Sequence, residues 1–150
     1  MRVAEVMSTD VKTVQTATPA TDAWELMRRQ GIHHLVVMDG STLLGVVSDR
    51  DVGGKRGAGV RAHARVGDLM TAAPVTVGPE TPIRKVANLM RGRTIGCVPV
   101  LEGSRLKGIV TVSDLLGLLG YGIDRPTRPR RADLHYRVPH TKQRPAPRAW

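Results

Sequence analysis

At 150 residues the chain suffices for one small domain or two very small ones, and falls far short of the roughly 250 residues of a typical (β/α)8 barrel, so a large catalytic scaffold is excluded. The formal net charge of +10 is uneven: residues 1–120 hold 15 Lys/Arg against 11 Asp/Glu, whereas residues 121–150 hold 8 against 2. A single cysteine, Cys97, rules out an internal disulfide; with no long apolar run and no signal-peptide pattern at Met1-Arg2-Val3, a cytoplasmic protein without membrane association is expected.

In chain order, a short helix is expected at Val3-Ala4-Glu5-Val6-Met7, then a strand at Lys12-Thr13-Val14. Thr18-Pro19 reads as an N-cap followed by proline in the first helical turn, and Ala20, Ala23, Trp24 and Met27 recur at helical spacing until Gly31 offers a stop. Leu35-Val36-Val37-Met38 and Leu43 to Val47, joined through Asp39-Gly40-Ser41-Thr42, read as a buried hairpin. A closing helix is expected after Ser48, its extent cut by the basic, glycine-rich run Gly53-Gly54-Lys55-Arg56-Gly57. That run lacks the G-x-x-x-x-G-K-[ST] spacing of a phosphate loop and reads as a linker.

The whole plan then returns. Residues 3–52 align without a gap on 66–115, with 17 identities in 50 pairs against about 3 for unrelated sequences. Thr81-Pro82, Val86, Leu89 and Met90 repeat the helix; Val75-Thr76-Val77 repeats the first strand; Val98-Pro99-Val100-Leu101 and Leu106 to Val110 repeat the hairpin. Pro99 demotes its strand to an edge or to a position needing no N–H. The expected organisation is repeat 1 with its linker over 1–60, repeat 2 over 61–121, and a basic Pro/Arg-rich tail over 122–150, whose composition predicts disorder. Duplication of one unit suggests a pseudo-twofold pair with two related clefts at its seam.

Gly45-Val46-Val47-Ser48-Asp49-Arg50-Asp51 and Gly108-Ile109-Val110-Thr111-Val112-Ser113-Asp114 resemble the Gly-h-h-[Ser/Thr]-x-x-Asp signature of the CBS domain, where h is apolar. The Val-Met-Ser and Leu-Met-Thr openings and Ile95-Gly96-Cys97-Val98-Pro99-Val100 resemble it too. The resemblance covers about residues 1–119 and implies an α+β fold of two β-α-β-β-α CBS repeats packed as a pseudo-twofold pair. Such a tandem pair, a Bateman module, is a regulatory unit that binds adenosine-containing ligands at its seam and commonly forms dimers.

The chemistry of the signature stands on its own. A hydroxyl at Ser48 or Thr111 lies beside a helix N-terminus, where unpaired N–H groups favour a phosphate, and an aspartate three residues on suits a ribose diol. Helix capping is the simpler use of the same residues, and the recurrence of the spacing is read as favouring a ligand. The resemblance implies that each cleft is completed crosswise. Thr111 and Asp114 would face Val11, Lys12, Thr13, His33 and His34, while Ser48, Asp51 and Arg50 would face Val75, Thr76, Gly96 and Cys97. The first cleft would then carry the cationic help for a charged nucleotide. Cys97 alone reads as a packing residue, and His33 with His34 supplies too few ligands for a metal.

The resulting expectation is a non-enzymatic sensor with no resident cofactor, binding AMP, ADP, ATP or S-adenosylmethionine and reporting it to an effector protein. A homodimer is expected through helical faces carrying Trp24, Met27, Leu89 and Met90. The alternative is a nucleic-acid-binding protein acting through the tail, where Arg125, Arg128, Arg130, Arg131, Arg137, Lys142, Arg144 and Arg148 accompany Tyr136 and Trp150. An enzyme using the cleft carboxylates is disfavoured, because pseudo-symmetry puts Asp51 and Asp114 in different clefts.

Overall fold

Residues 1–121 are described by a computed structural model of the chain. The expected tail over 122–150 lies outside them. A 3-10 turn at Val3–Glu5 precedes β1 (Thr13–Val14), α1 (Ala20–Gln30) and the hairpin β2 (His34–Asp39) and β3 (Thr42–Ser48). A second 3-10 turn at Gly54–Arg56 leads to two short helices, α2 (Ala58–His63) and α3 (Val66–Leu69). Then follow β4 (Thr71–Ala72), α4 (Ile83–Arg93), the hairpin β5 (Cys97–Glu102) and β6 (Arg105–Thr111), and α5 (Val112–Tyr121).

The punctuation is local chemistry. Gly31 takes the left-handed conformation (φ 61°) that ends α1, and Gly40 (φ 57°) does the same in the β2–β3 turn. Thr94 occupies the place of Gly31 at the end of α4 and is held at φ 53° in spite of its branched Cβ. The expected Thr18 cap is shifted by one residue. Pro19 is the N-cap of α1, and the Thr18 hydroxyl accepts the Gln15 N–H at 3.1 Å, bracing the preceding turn.

The two repeats exchange their opening segments. Val3 N–H donates to Thr81 O and Ser8 pairs reciprocally with Ile109, so the first segment lies on repeat 2. Val66 N–H donates to Thr18 O, and β4 pairs with β3 in register Val46 with Thr71. Each core therefore contains a wall from the other repeat. One joins Ala20, Ala23, Met27, Leu35, Val37, Val47 and Val52 to Val66. The other joins Val86, Met90, Val98, Val100 and Val110 to Val3. A third cluster, Val36, Cys97 and Ile109 with Val11 packed against it, sits at the seam.

This exchange accounts for the glycine of the signature. A Cβ on Gly45 would lie 2.6 Å from Thr71 O, and one on Gly108 would lie 2.6 Å from Ser8 O. In both repeats the foreign backbone passes where a side chain would be, so glycine is the residue that fits.

The repeats differ in their sheets. Repeat 1 builds β1-β2-β3-β4, with β1 parallel to β2, whereas the second sheet has only β5 and β6. The strand expected at Val75-Thr76-Val77 shrinks to one bridge, Val77 with Val100. Pro99 is the reason: in repeat 1 the equivalent Val36 N–H donates to Lys12 O at 3.2 Å, and proline has no N–H to offer Val75.

Candidate functional site

Both signature aspartates close a reciprocal turn. Ser48 N–H donates to Asp51 Oδ2 at 2.8 Å, and Asp51 N–H donates to Ser48 Oγ at 3.1 Å. In repeat 2, Thr111 N–H donates to Asp114 Oδ2 at 2.8 Å, the Thr111 hydroxyl donates to the same oxygen at 3.1 Å, and Asp114 N–H donates back to Thr111 Oγ1 at 3.3 Å. This is a capping box. Its geometry fixes the three-residue spacing, so the spacing by itself does not argue for a ligand. What the box does supply is two preset, half-buried hydroxyl–carboxylate pairs, one in each repeat.

The histidines sit beside the first of these turns. Register pairs His34 with Ser48, which brings His33 opposite Asp49. His33 Nδ1 lies 2.8 Å from Asp49 Oδ2, in a contact open to solvent on the histidine side. His34 is half-buried, and a Cβ on Gly96 would meet its Nε2 at 2.9 Å. Burial pulls the His34 imidazole below its ordinary proton affinity, while Asp49 and, more weakly, Asp51 oppose that pull. Burial, with a smaller push from Asp51, raises the Cys97 thiol to about 12, which keeps it protonated and unreactive.

Ser48, Asp51, His34, Gly96 and Cys97 are thus gathered at one part of the seam. The crosswise assignment expected both histidines opposite Thr111 and Asp114. His33 contacts Asp49 of its own repeat, while His34 meets Gly96, whose carbonyl accepts the Val112 N–H beside the Thr111 turn. Val11 is in the seam cluster, Lys12 pairs with Asp10 at 3.1 Å, and Thr13 and Thr76 are exposed. Val75 is half-buried and Arg50 exposed. Sequence reasoning missed Asp49, because a bulge between Val37 and Met38 shifts the hairpin register by one residue from the one counted back from the turn.

Arg61 was also missed. It is only 7% exposed, and its guanidinium donates to Val52 O at 3.0 Å and to Gly54 O while lying over the Trp24 ring, 4.3 Å from the centroid. The glycine-rich linker is therefore a clamped turn, with Gly53 and Gly57 packed too closely for any Cβ.

Met27 and Met90, expected to face a partner, are core residues at 1% and 4% exposure. Trp24 and Leu89 are half-buried. Among the described residues, no helix is long and apolar enough to cross a membrane, and no group of three or more His, Cys, Asp or Glu side chains is placed to hold a metal ion.

The CBS domain family model matches residues 3–52 and 66–121, the two units that the fold interlocks. The chain belongs to the CBS-domain family. As a CBS pair it is similar to a CBS domain-containing protein of Dictyostelium discoideum, 34% identical over 131 residues that span 78% of this chain and 90% of that protein. It is also 32% identical over 126 residues to an A-adding tRNA nucleotidyltransferase of Geobacter sulfurreducens. That match spans 84% of this chain and 14% of the transferase. Among solved structures, the CBS domain pair of protein MJ0100 in complex with 5′-methylthioadenosine and S-adenosyl-L-methionine aligns with TM-score 0.73 and 25% identity, covering 81% of this chain and 97% of that one. CBSX2 in complex with AMP aligns with TM-score 0.68 and 28% identity, covering 83% and 98%.

Proposed function

We propose that this CBS pair is a regulatory module that binds an adenosine-containing ligand at its seam and passes the binding on as a change of shape or assembly. The observation that carries this reading is the pair of equivalent hydroxyl–carboxylate turns, Ser48–Asp51 and Thr111–Asp114, in a fold shared with pairs solved around S-adenosylmethionine, methylthioadenosine and AMP. Each aspartate would accept the ribose hydroxyls, and Ser48 or Thr111 would turn toward phosphate or the group that replaces it. His34, between Ser48 and Gly96, would offer a ring N–H to the ligand without carrying charge. The module acts by linkage: a ligand shifts the arrangement of the repeats only by the difference of its affinities for the two states. The exposed Leu116 and Leu119 of α5 offer the apolar surface through which two modules would pair.

A thermal-shift panel of adenine and guanine nucleotides plus S-adenosylmethionine tests the reading. A ligand at one hundred times its dissociation constant stabilises by about 2.7 kcal/mol. The shift should shrink in Asp51→Ala and Asp114→Ala. No shift with any adenosine compound would refute the proposal.

A further inference from the structure

The helix that follows the signature is handled differently in the two repeats. After Thr111 it runs ten residues as α5, which carries no lysine or arginine. After Ser48 it stops within one turn. Gly53 N–H donates to Arg50 O at 2.9 Å and Gly54 N–H to Asp49 O at 2.8 Å, with Gly53 at φ 87°. This crossed pair of bonds at a left-handed glycine is a Schellman stop, and it folds the chain back onto Asp49. The 3-10 turn Gly54–Arg56 follows, held by the buried Arg61 through Val52 O and Gly54 O, and closed where Gly57 packs on the Gly53 backbone.

The stop therefore keeps Lys55 and Arg56 beside the Ser48–Asp51 turn, since Lys55 directly follows the residue bonded to Asp49. Both side chains are exposed, as is that of Arg50, and none of the three has an ion-pair or hydrogen-bond partner among the described residues. Other positive charge near the seam is engaged or suppressed: Lys12 pairs with Asp10, His33 faces Asp49, and burial disfavours the charged form of His34. Arg61 points its donors inward, beside Trp24. A loose tether between repeats needs neither a buried guanidinium nor two glycines in contact. A turn whose cations must meet an anion of set length does gain from being fixed, because side chains already in place lose less freedom on binding. α5 is the internal comparison. The same count of residues past its signature leads to Leu118 and Leu119, which offer a phosphate nothing.

We infer that Lys55 and Arg56 receive the outer phosphates of a polyphosphate nucleotide whose ribose is held at Asp51, with Arg61 as the residue that positions their turn. This rests on the seam-binding reading above and adds which turn reads phosphate number. Full-length protein is titrated by calorimetry, in magnesium-free buffer, with adenosine, AMP, ATP and inorganic tripolyphosphate. ATP should bind more tightly than AMP. Lys55→Gln/Arg56→Gln should weaken ATP about tenfold, AMP by less than about twofold and adenosine not at all. Arg105→Gln/Lys107→Gln, at the far end of β6 from Thr111, removes the same charge and should change none of them. Arg61→Lys should narrow the gap between ATP and AMP and leave adenosine in place, because the turn loses its fork while the charge stays. A clamp that only supported the fold would instead weaken all three alike, which would overturn the positioning role. Equal losses from the two charge pairs, or an ATP-to-AMP ratio that Lys55→Gln/Arg56→Gln does not move, would overturn the inference. Tripolyphosphate separates it from the reading beneath it. Retention of tripolyphosphate through Lys55 and Arg56 with no adenosine compound bound would keep the phosphate site and remove the seam reading; no binding of either would remove both.

Discussion

Removing the Arg61 guanidinium should unlock the linker and cost more than removing any other single charge among the described residues. Two backbone carbonyls, Val52 O and Gly54 O, accept from it, and Trp24 covers its face at 4.3 Å. A hydrogen bond involving a charged group contributes about 1.5–3 kcal/mol, and a buried cation–π contact up to about 2. Because the site is buried, Arg61→Ala leaves Val52 O without its donor while Gly54 O keeps the Gly57 N–H, and water entering the space recovers part of the loss. The net expectation is a destabilisation of about 3–5 kcal/mol. With a urea slope of about 2 kcal/mol/M, the midpoint should fall by about 2 M. Arg61→Lys keeps the charge but not the planar fork and should lose about half as much. Arg65 provides the control: it is exposed and donates to Ala17 O at 2.7 Å, so Arg65→Ala should cost about 1 kcal/mol or less. Urea denaturation of the three variants decides the matter. An Arg61→Ala variant within 1 kcal/mol of Arg65→Ala would show that the clamp is incidental to the linker.

Gly45→Ala and Gly108→Ala should each destabilise by about 1–3 kcal/mol through collision with the foreign backbone, measured by calorimetry; Gly59→Ala, with nothing within 4 Å, should be neutral or stabilising. Stability should decline on both sides of neutrality. His34 binds protons less readily folded than unfolded, so stability falls as pH drops below its ordinary value of 6.5. Cys97 stays protonated in the fold up to about 12, so stability falls again as pH rises above 9.0, where the unfolded thiol ionises. Denaturation from pH 5 to 10 should give a plateau between those limits, with the alkaline limb missing in Cys97→Ala and the acid limb reduced in His34→Gln. Gly96→Ala should push the His34 ring toward solvent and bring its NMR titration closer to that of a free histidine; an unmoved titration would mean that the seam is looser than 2.9 Å implies.

Much of this architecture could be read from the residues because it is written twice. Hairpin alternation, the αL stop at Gly31 and the hydroxyl-to-aspartate spacing are local signals, and the duplication multiplied their weight. What escaped was non-local. Nothing near Gly45 says that Thr71 will cross it, and Pro99 looks like a defect of its own strand until its missing N–H is matched to Val75. The contact of His33 with Asp49 escaped for the same reason, since the bulge between Val37 and Met38 moves the register by one residue from the one counted back from the turn. Arg61 carried no signal at all, since an arginine after a glycine run looks like solvent until Trp24 is found beneath it.

The exchange of opening segments has a consequence for the chain as a genetic object. A polypeptide cut between α2 and α3 would yield two fragments, the first carrying Val3 for a core it does not possess and the second carrying Val66 for the core left behind. Neither half is a free-standing fold, yet each holds what the other lacks, so co-expressed halves should complement as a split protein does. By the same logic, a lone ancestral unit would have had to trade segments with a twin, and fusion of two copies turned that association into an intramolecular one with no new contact required.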